Sequence, residues 1–233
     1  MTRLNSVATA FAAAALLASS FVSADHHGGA HTSSITKIDS NEFGIDAKEI
    51  ADINAQMQAA VDGGFIAGNI LLVGNSEGVG VLETAGTQGP GQSTPMDEQT
   101  FFRIYSMTKP IVSVATMTLV EDGLLAISDP VSKYIPEFAN MTVINEETGA
   151  ITPAANEMTV QDLLTHESGL IYGIFDPESE LGKMYFQAGS LRADITALTL
   201  AQNLAALPLR FEPGTKWNYS RSTDVLGAVI EVA

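Results

Sequence analysis

"FFRIYSMTKPIVSVATMTLVEDG", residues 101–123, carries a serine and a lysine three positions apart, Ser106 and Lys109, at the head of an apolar run. Pro110 is compatible with helix only in its first turn, because proline lacks the N–H that the interior ladder needs. A helix is therefore predicted to begin near Ser106 and to end at Glu121-Asp122-Gly123. Ile111, Val112, Val114, Ala115, Met117, Leu119 and Val120 leave it few polar faces, so it is predicted to be buried in the core. Residues i and i+3 share a helix face, which puts the Lys109 amine within reach of the Ser106 hydroxyl. The positive helix N-terminus and burial both push that lysine toward its neutral, basic form. A neutral amine can take the serine proton, and free N–H groups at the helix start can hold an oxyanion. The bland alternative is a serine N-cap beside a solvated lysine. A capping box would place Glu or Gln third, however, and a cation in the first turn opposes the helix dipole. Spacing alone does not decide, since Ser34 and Lys37 repeat it in a polar stretch with no such helix.

Composition narrows the class. With 45% hydrophobic and 16% charged residues, the 233-residue chain is globular and long enough for a sizeable core. Its formal charge of −16 repels nucleic acid and anionic membranes. The chain has no cysteine, which removes disulfides and a thiolate nucleophile. Residues 1–24 read as a secretory signal: Arg3, an apolar stretch from Val7 to Leu17, then Val22-Ser23-Ala24 before the cut. That stretch is short of the roughly 20 residues that span a bilayer. The mature protein is expected to be periplasmic or secreted, without stable membrane insertion after signal removal. Residues 25–43 read as a flexible lead-in, and its His26, His27 and His31 as incidental rather than metal ligands.

"DAKEIADINAQMQAAVDGG" sets Ile50, Ile53, Met57 and Val61 at helical spacing. Two β-rich runs then flank Gly74-Asn75-Ser76-Glu77-Gly78. This matches the G-x-S-x-G nucleophile elbow, but that motif needs a helix after Ser76, and "GVGVLETAG" is a return strand, so a hairpin turn is expected. Further along, Asp129-Pro130 opens a short helix closed by Pro136, and Thr159 with Asp162 and Thr199 with Gln202 look like capping boxes. Val225, Leu226, Val229 and Ile230 form the apolar face of a last helix, in which the sequence stops without a cap. The chain is therefore expected to be part of a longer protein.

The stretch from Thr100 to Phe138 resembles the serine β-lactamase-like family, which includes class C β-lactamases, D,D-peptidases and related esterases. The likeness extends from Ser106-x-x-Lys109 to Asp129-Pro130 and Tyr134-Ile135-Pro136, to "DLLTHESGL" at 162–170, where Glu167 replaces a usual Thr, and to Tyr219-Ser220. It covers residues 44–233 and implies an α+β, β-lactamase/transpeptidase-like fold: an antiparallel sheet flanked by helices, a mostly helical region, and C-terminal strands beyond this chain. It also implies an acyl-enzyme on Ser106, with Lys109 as general base and Tyr219 relaying protons, and no metal or cofactor. Without the resemblance, Tyr219 reads as a residue packing at a loop-to-helix junction with Trp217. His166, Arg103 and Asp224 are assigned structural roles. Arg221 stands where the family's Tyr-x-Asn has Asn, and a guanidinium cannot accept a hydrogen bond. This departure favours an ester over a β-lactam or peptidoglycan-like acyl substrate. The family's third element, a Lys or His followed by Ser/Thr and Gly, lies beyond Ala233, so little activity is expected of residues 25–233 alone. The rival readings are a penicillin-binding or sensor-type domain that acylates without turnover, and an α/β-hydrolase using Ser76.

Overall fold

Asp46 and Glu49 cap each other's backbone N–H groups, and from this capping box runs helix α1 (Ala47–Asp62). The computed structural model describes residues 36–190, 192 and 194–233. The reading of residues 1–24 as a signal, and His26, His27, His31 and Ser34, lie outside the described residues. The chain divides into two units, one comprising residues 25–103 and the other running from Ile104 to Ala233.

In the first unit, Ile50, Ile53, Met57 and Val61 of α1 are half-buried, as their spacing predicts. Strands β1 (Gly68–Gly74) and β2 (Val79–Gly86) pair antiparallel, with a register irregularity at Val73/Gly74. Asn75 Oδ1 accepts the N–H groups of Glu77 at 2.8 Å and Gly78 at 3.1 Å, which closes the turn. Ser76 thus sits in a hairpin turn followed by a strand, not in an elbow followed by a helix. Residues 36–43 are more regular than the lead-in reading expected. The Ile38 N–H donates to the Val79 carbonyl at 3.1 Å, the Val79 N–H to that of Thr36 at 2.8 Å, and Ser40–Phe43 form a 3-10 turn. The start of β2 offers free backbone groups, and an extended Thr36–Ile38 satisfies them.

The second unit opens on a 3-10 turn (Tyr105–Met107) and helix α2 (Thr108–Glu121). Pro110 thus falls in the first turn, as its chemistry demands. Within this unit α2 buries only Thr116 and Leu119, while Ile111, Val114 and Met117 are 43%, 67% and 43% exposed. The expectation of a buried helix is corrected: one face packs on the unit's last helix, and Ile111, Val114 and Met117 are left exposed. Instead of one helix from Asp129-Pro130 to Pro136 there are two 3-10 turns, Val131–Lys133 and Pro136–Asn140, with Pro136 opening the second. A hairpin that the sequence reading missed follows, of β3 (Thr142–Ile144) and β4 (Ile151–Pro153). Next come α3 (Val160–Thr165), α4 (Glu180–Gln187), α5 (Ala197–Ala205) and α6 (Ser222–Val232).

The Thr159–Asp162 capping box of α3 is present. Thr199 and Gln202 form none; Thr196 caps α5 by accepting the Thr199 N–H, and Gln202 donates to Glu137. Thr196, not Thr199, has the extended backbone that an N-cap requires. Leu163, Leu170, Leu181, Leu204, Leu209, Leu226 and Val229 form the core with Tyr185. Each such aliphatic side chain contributes about 1.5–3 kcal/mol by leaving water. No described helix is long and apolar enough to cross a membrane.

Asp129 ties the 3-10 turns together. Its Oδ2 accepts from the Ala126 N–H at 2.9 Å, Lys133 Nζ at 2.8 Å and Tyr134 Oη at 2.5 Å. These bonds, that of Lys133 first, lower its carboxyl to about 2. A carboxyl depressed in the folded state stabilises above its unfolded value of about 4, and the gain is lost as pH falls toward 2. Asp129→Asn is expected to melt several degrees below wild type at pH 6 and to lose less stability between pH 4 and 2. Identical melting of the two proteins at both pH values would show that the carboxylate contributes nothing.

Candidate active site

Four residues converge in the second unit. Tyr105 has φ 43°, in the left-handed region that non-glycine residues rarely occupy, and so turns the chain sharply just before an exposed Ser106. Ser106 Oγ accepts a hydrogen bond from Tyr219 Oη at 2.5 Å. Lys109, one turn into the helix start and half-buried, donates from Nζ to Tyr172 Oη at 3.1 Å. The same ammonium lies 4.7 Å from the centre of the Tyr219 ring, and the two phenol rings are 5.5 Å apart. Ser106, Lys109 and Tyr219, three residues expected to meet, are therefore together. Tyr172 is a fourth that the sequence reading missed; its only cue was its place after the "SGL" turn.

The loops that carry the tyrosines are stapled to each other. Ser168 and Ser220 each lie 2.7 Å, oxygen to oxygen, from Ser222 Oγ, and all three are buried. Asn218 Nδ2 donates to the Leu170 carbonyl at 3.1 Å, and the Asn218 N–H to that of His166 at 2.8 Å. His166 ends α3 with φ 61°, and its ring lies 4.9 Å from that of Tyr219. Its Nδ1 accepts the Ser220 N–H at 3.3 Å, which places the imidazole proton on Nε2. Burial, then the nearby Lys109 charge, hold His166 below the ordinary histidine value, so at neutral pH it is an uncharged support under Tyr219.

The electrostatics of the pair differ from the sequence expectation. Burial does act to lower Lys109, but the hydroxyls of Tyr219 and Tyr172 outweigh it and the net shift is upward. Tyr219 moves the other way. The neighbouring Lys109 first, then the hydrogen bond to Ser106, hold its phenol below the ordinary tyrosine value. When this pair has lost one proton, the charge arrangement therefore favours a Tyr219 phenolate beside a Lys109 ammonium. Arg221 stacks on Tyr172 and pairs with Asp224 at 3.2 Å, which gives Asp224 the structural place expected of it.

The Beta-lactamase family model matches residues 53–233. Esterase EstB of Burkholderia gladioli is 34% identical over 201 residues, which cover 84% of this chain and 48% of EstB. The lovastatin esterase of Penicillium rubens is 31% identical over 186 residues, 77% of this chain and 46% of that protein. The solved structure of EstCE1, a hydrolase with promiscuous acyltransferase activity, superposes with a TM-score of 0.63 at 30% identity, covering 78% of this chain and 45% of that one. The chain thus spans about half the length of these relatives. The fold is β-lactamase/transpeptidase-like, with helices and two small antiparallel sheets. A serine and lysine one helical turn apart, a tyrosine hydroxyl on that serine and the match over residues 53–233 lead to one conclusion: the chain belongs to the Beta-lactamase family.

Proposed function

We propose that this protein is an exported esterase that forms an acyl-enzyme on Ser106. The observation that carries the reading is the 2.5 Å hydrogen bond between Tyr219 and Ser106, with Lys109 against the same phenol. The Lys109–Tyr219 pair, one proton short, is the base. Tyr219 Oη takes the Ser106 proton as Oγ attacks the ester carbonyl. The same phenol then returns that proton to the departing alkoxide, leaving an acyl-serine. In the second half, Tyr219 takes a proton from water, the resulting hydroxide attacks the acyl carbon, and Ser106 leaves with a proton. Lys109 stabilises the phenolate throughout, and Tyr172 holds the amine in place.

An ester is preferred as substrate for two reasons: the relatives include two named esterases, and Arg221 stands where the resemblance implies an Asn, so that hydrogen-bond acceptor is missing. Export is supported by the charge and apolar pattern of residues 1–24. To test the reading, the natural full-length protein is mixed with a short-chain nitrophenyl ester and with a cephalosporin. An acyl adduct on the Ser106 peptide and faster ester turnover are expected. Turnover should rise with pH as the pair loses its proton, because only the deprotonated pair can accept one from Ser106. An adduct elsewhere, or preference for the cephalosporin, would overturn the proposal.

A further inference from the structure

Arg221 leads into α6, and its guanidinium lies over the face of Tyr172, with Cζ 4.6 Å from the ring centre. Nη1 donates to Asp224 Oδ1 at 3.2 Å, and the side chain is 14% exposed. The Nε is buried without a hydrogen-bond partner. Sequestering a guanidinium with one donor unmatched is unfavourable, and stacking of its planar fork on an aromatic face offsets that cost. The Tyr172 backbone is anchored separately, since Ser190 Oγ donates to its carbonyl at 3.2 Å. The ring, not the backbone, is therefore what Arg221 restrains. At the edge of that ring, the hydroxyl receives Lys109.

We propose that Arg221 is a positioning residue: its guanidinium clamps the Tyr172 ring so that the hydroxyl holds the Lys109 amine alongside Tyr219. Arg221 touches no reacting atom and acts through Tyr172. The titratable groups that face Lys109 are Tyr172, Tyr219 and His166, with Asp224 balancing Arg221. The inference rests on the Ser106 reading for its kinetic consequence only.

Arg221→Lys separates the clamp from the charge, because it keeps a cation but loses the planar fork. In the natural full-length protein, two quantities are compared with wild type: the acylation rate per titratable Ser106, and the titration of Lys109 followed by lysine 13C NMR, its signal assigned by loss in Lys109→Arg. Arg221→Lys should acylate about tenfold more slowly with little change in KM, as expected for a misaimed base. Its Lys109 titration should move downward as the Tyr172 hydrogen bond, which holds the amine up, loosens. Arg221→Met should be slowed at least as much. Wild-type rates in both variants would overturn the proposal. So would a slower rate with an unmoved Lys109 titration, since that marks a merely structural loss. If wild type itself is not acylated at Ser106, the esterase reading fails, while the NMR comparison still decides the place of Arg221.

Discussion

Ser106→Ala is expected to abolish ester turnover, with a loss of at least about a thousandfold, and to leave the fold unchanged. The serine is exposed in the 3-10 turn that precedes α2, so removing its oxygen exposes no cavity. It does remove the hydroxyl oxygen that meets Tyr219 at hydrogen-bond distance and would carry the acyl group. Ser76→Ala is the paired measurement. That serine lies in the β1–β2 turn, closed by Asn75 and followed by a strand, so turnover should stay within about twofold. Loss of turnover in Ser76→Ala with retention in Ser106→Ala would reverse the assignment and move the chemistry to the hairpin.

A large effect on stability is expected at Gly169. Its φ is +79°, and a Cβ there would overlap the Phe211 carbonyl oxygen and lie 3.0 Å from the Leu209 Cβ. The Arg210 N–H also donates to the Gly169 carbonyl at 2.8 Å, so the two strands of chain cannot separate to make room. Gly169→Ala therefore combines backbone strain with a backbone clash and should cost about 3 kcal/mol or more, seen as a melting temperature lower by roughly 10 °C. Tyr172 lies three residues on, so the acylation rate per folded molecule should also fall. Gly214→Ala provides the contrast. It too has positive φ, +77°, but a Cβ would meet only Asp162 Oδ1 at 3.4 Å, and strain alone costs about 1 kcal/mol. If the two variants melt together, the close approach at Gly169 does not matter.

Local chemistry decided what the sequence alone determined. Pro110 set the helix start, the 3.6-residue period gave the apolar faces of α1 and α6, and the turn residues around Ser76 gave a hairpin. The Ser106–Lys109 spacing and the Tyr219 element were legible because each is a short segment whose own backbone fixes it. Errors arose where a neighbour mattered. Thr196 and Thr199 are equally good caps on paper, and the backbone that one of them adopts chose between them. The apolar run of α2 shows how much of it could be buried, not how much the unit around it covers.

The candidate site divides the same way. Helix dipole and burial are readable from a sequence, and both push Lys109 toward neutrality. The two phenols that reverse the sign arrive from loops distant along the chain, joined through Ser168, Ser220 and Ser222. Arg221 gained its place for the same reason: the guanidinium at the family's Asn position is spent on the face of Tyr172 and on Asp224. Sequence determined which residues could do the chemistry, because residue type and local spacing set reach and reactivity. Tertiary structure alone decided where the proton rests, because that depends on charges and hydroxyls brought within a few ångströms by folding.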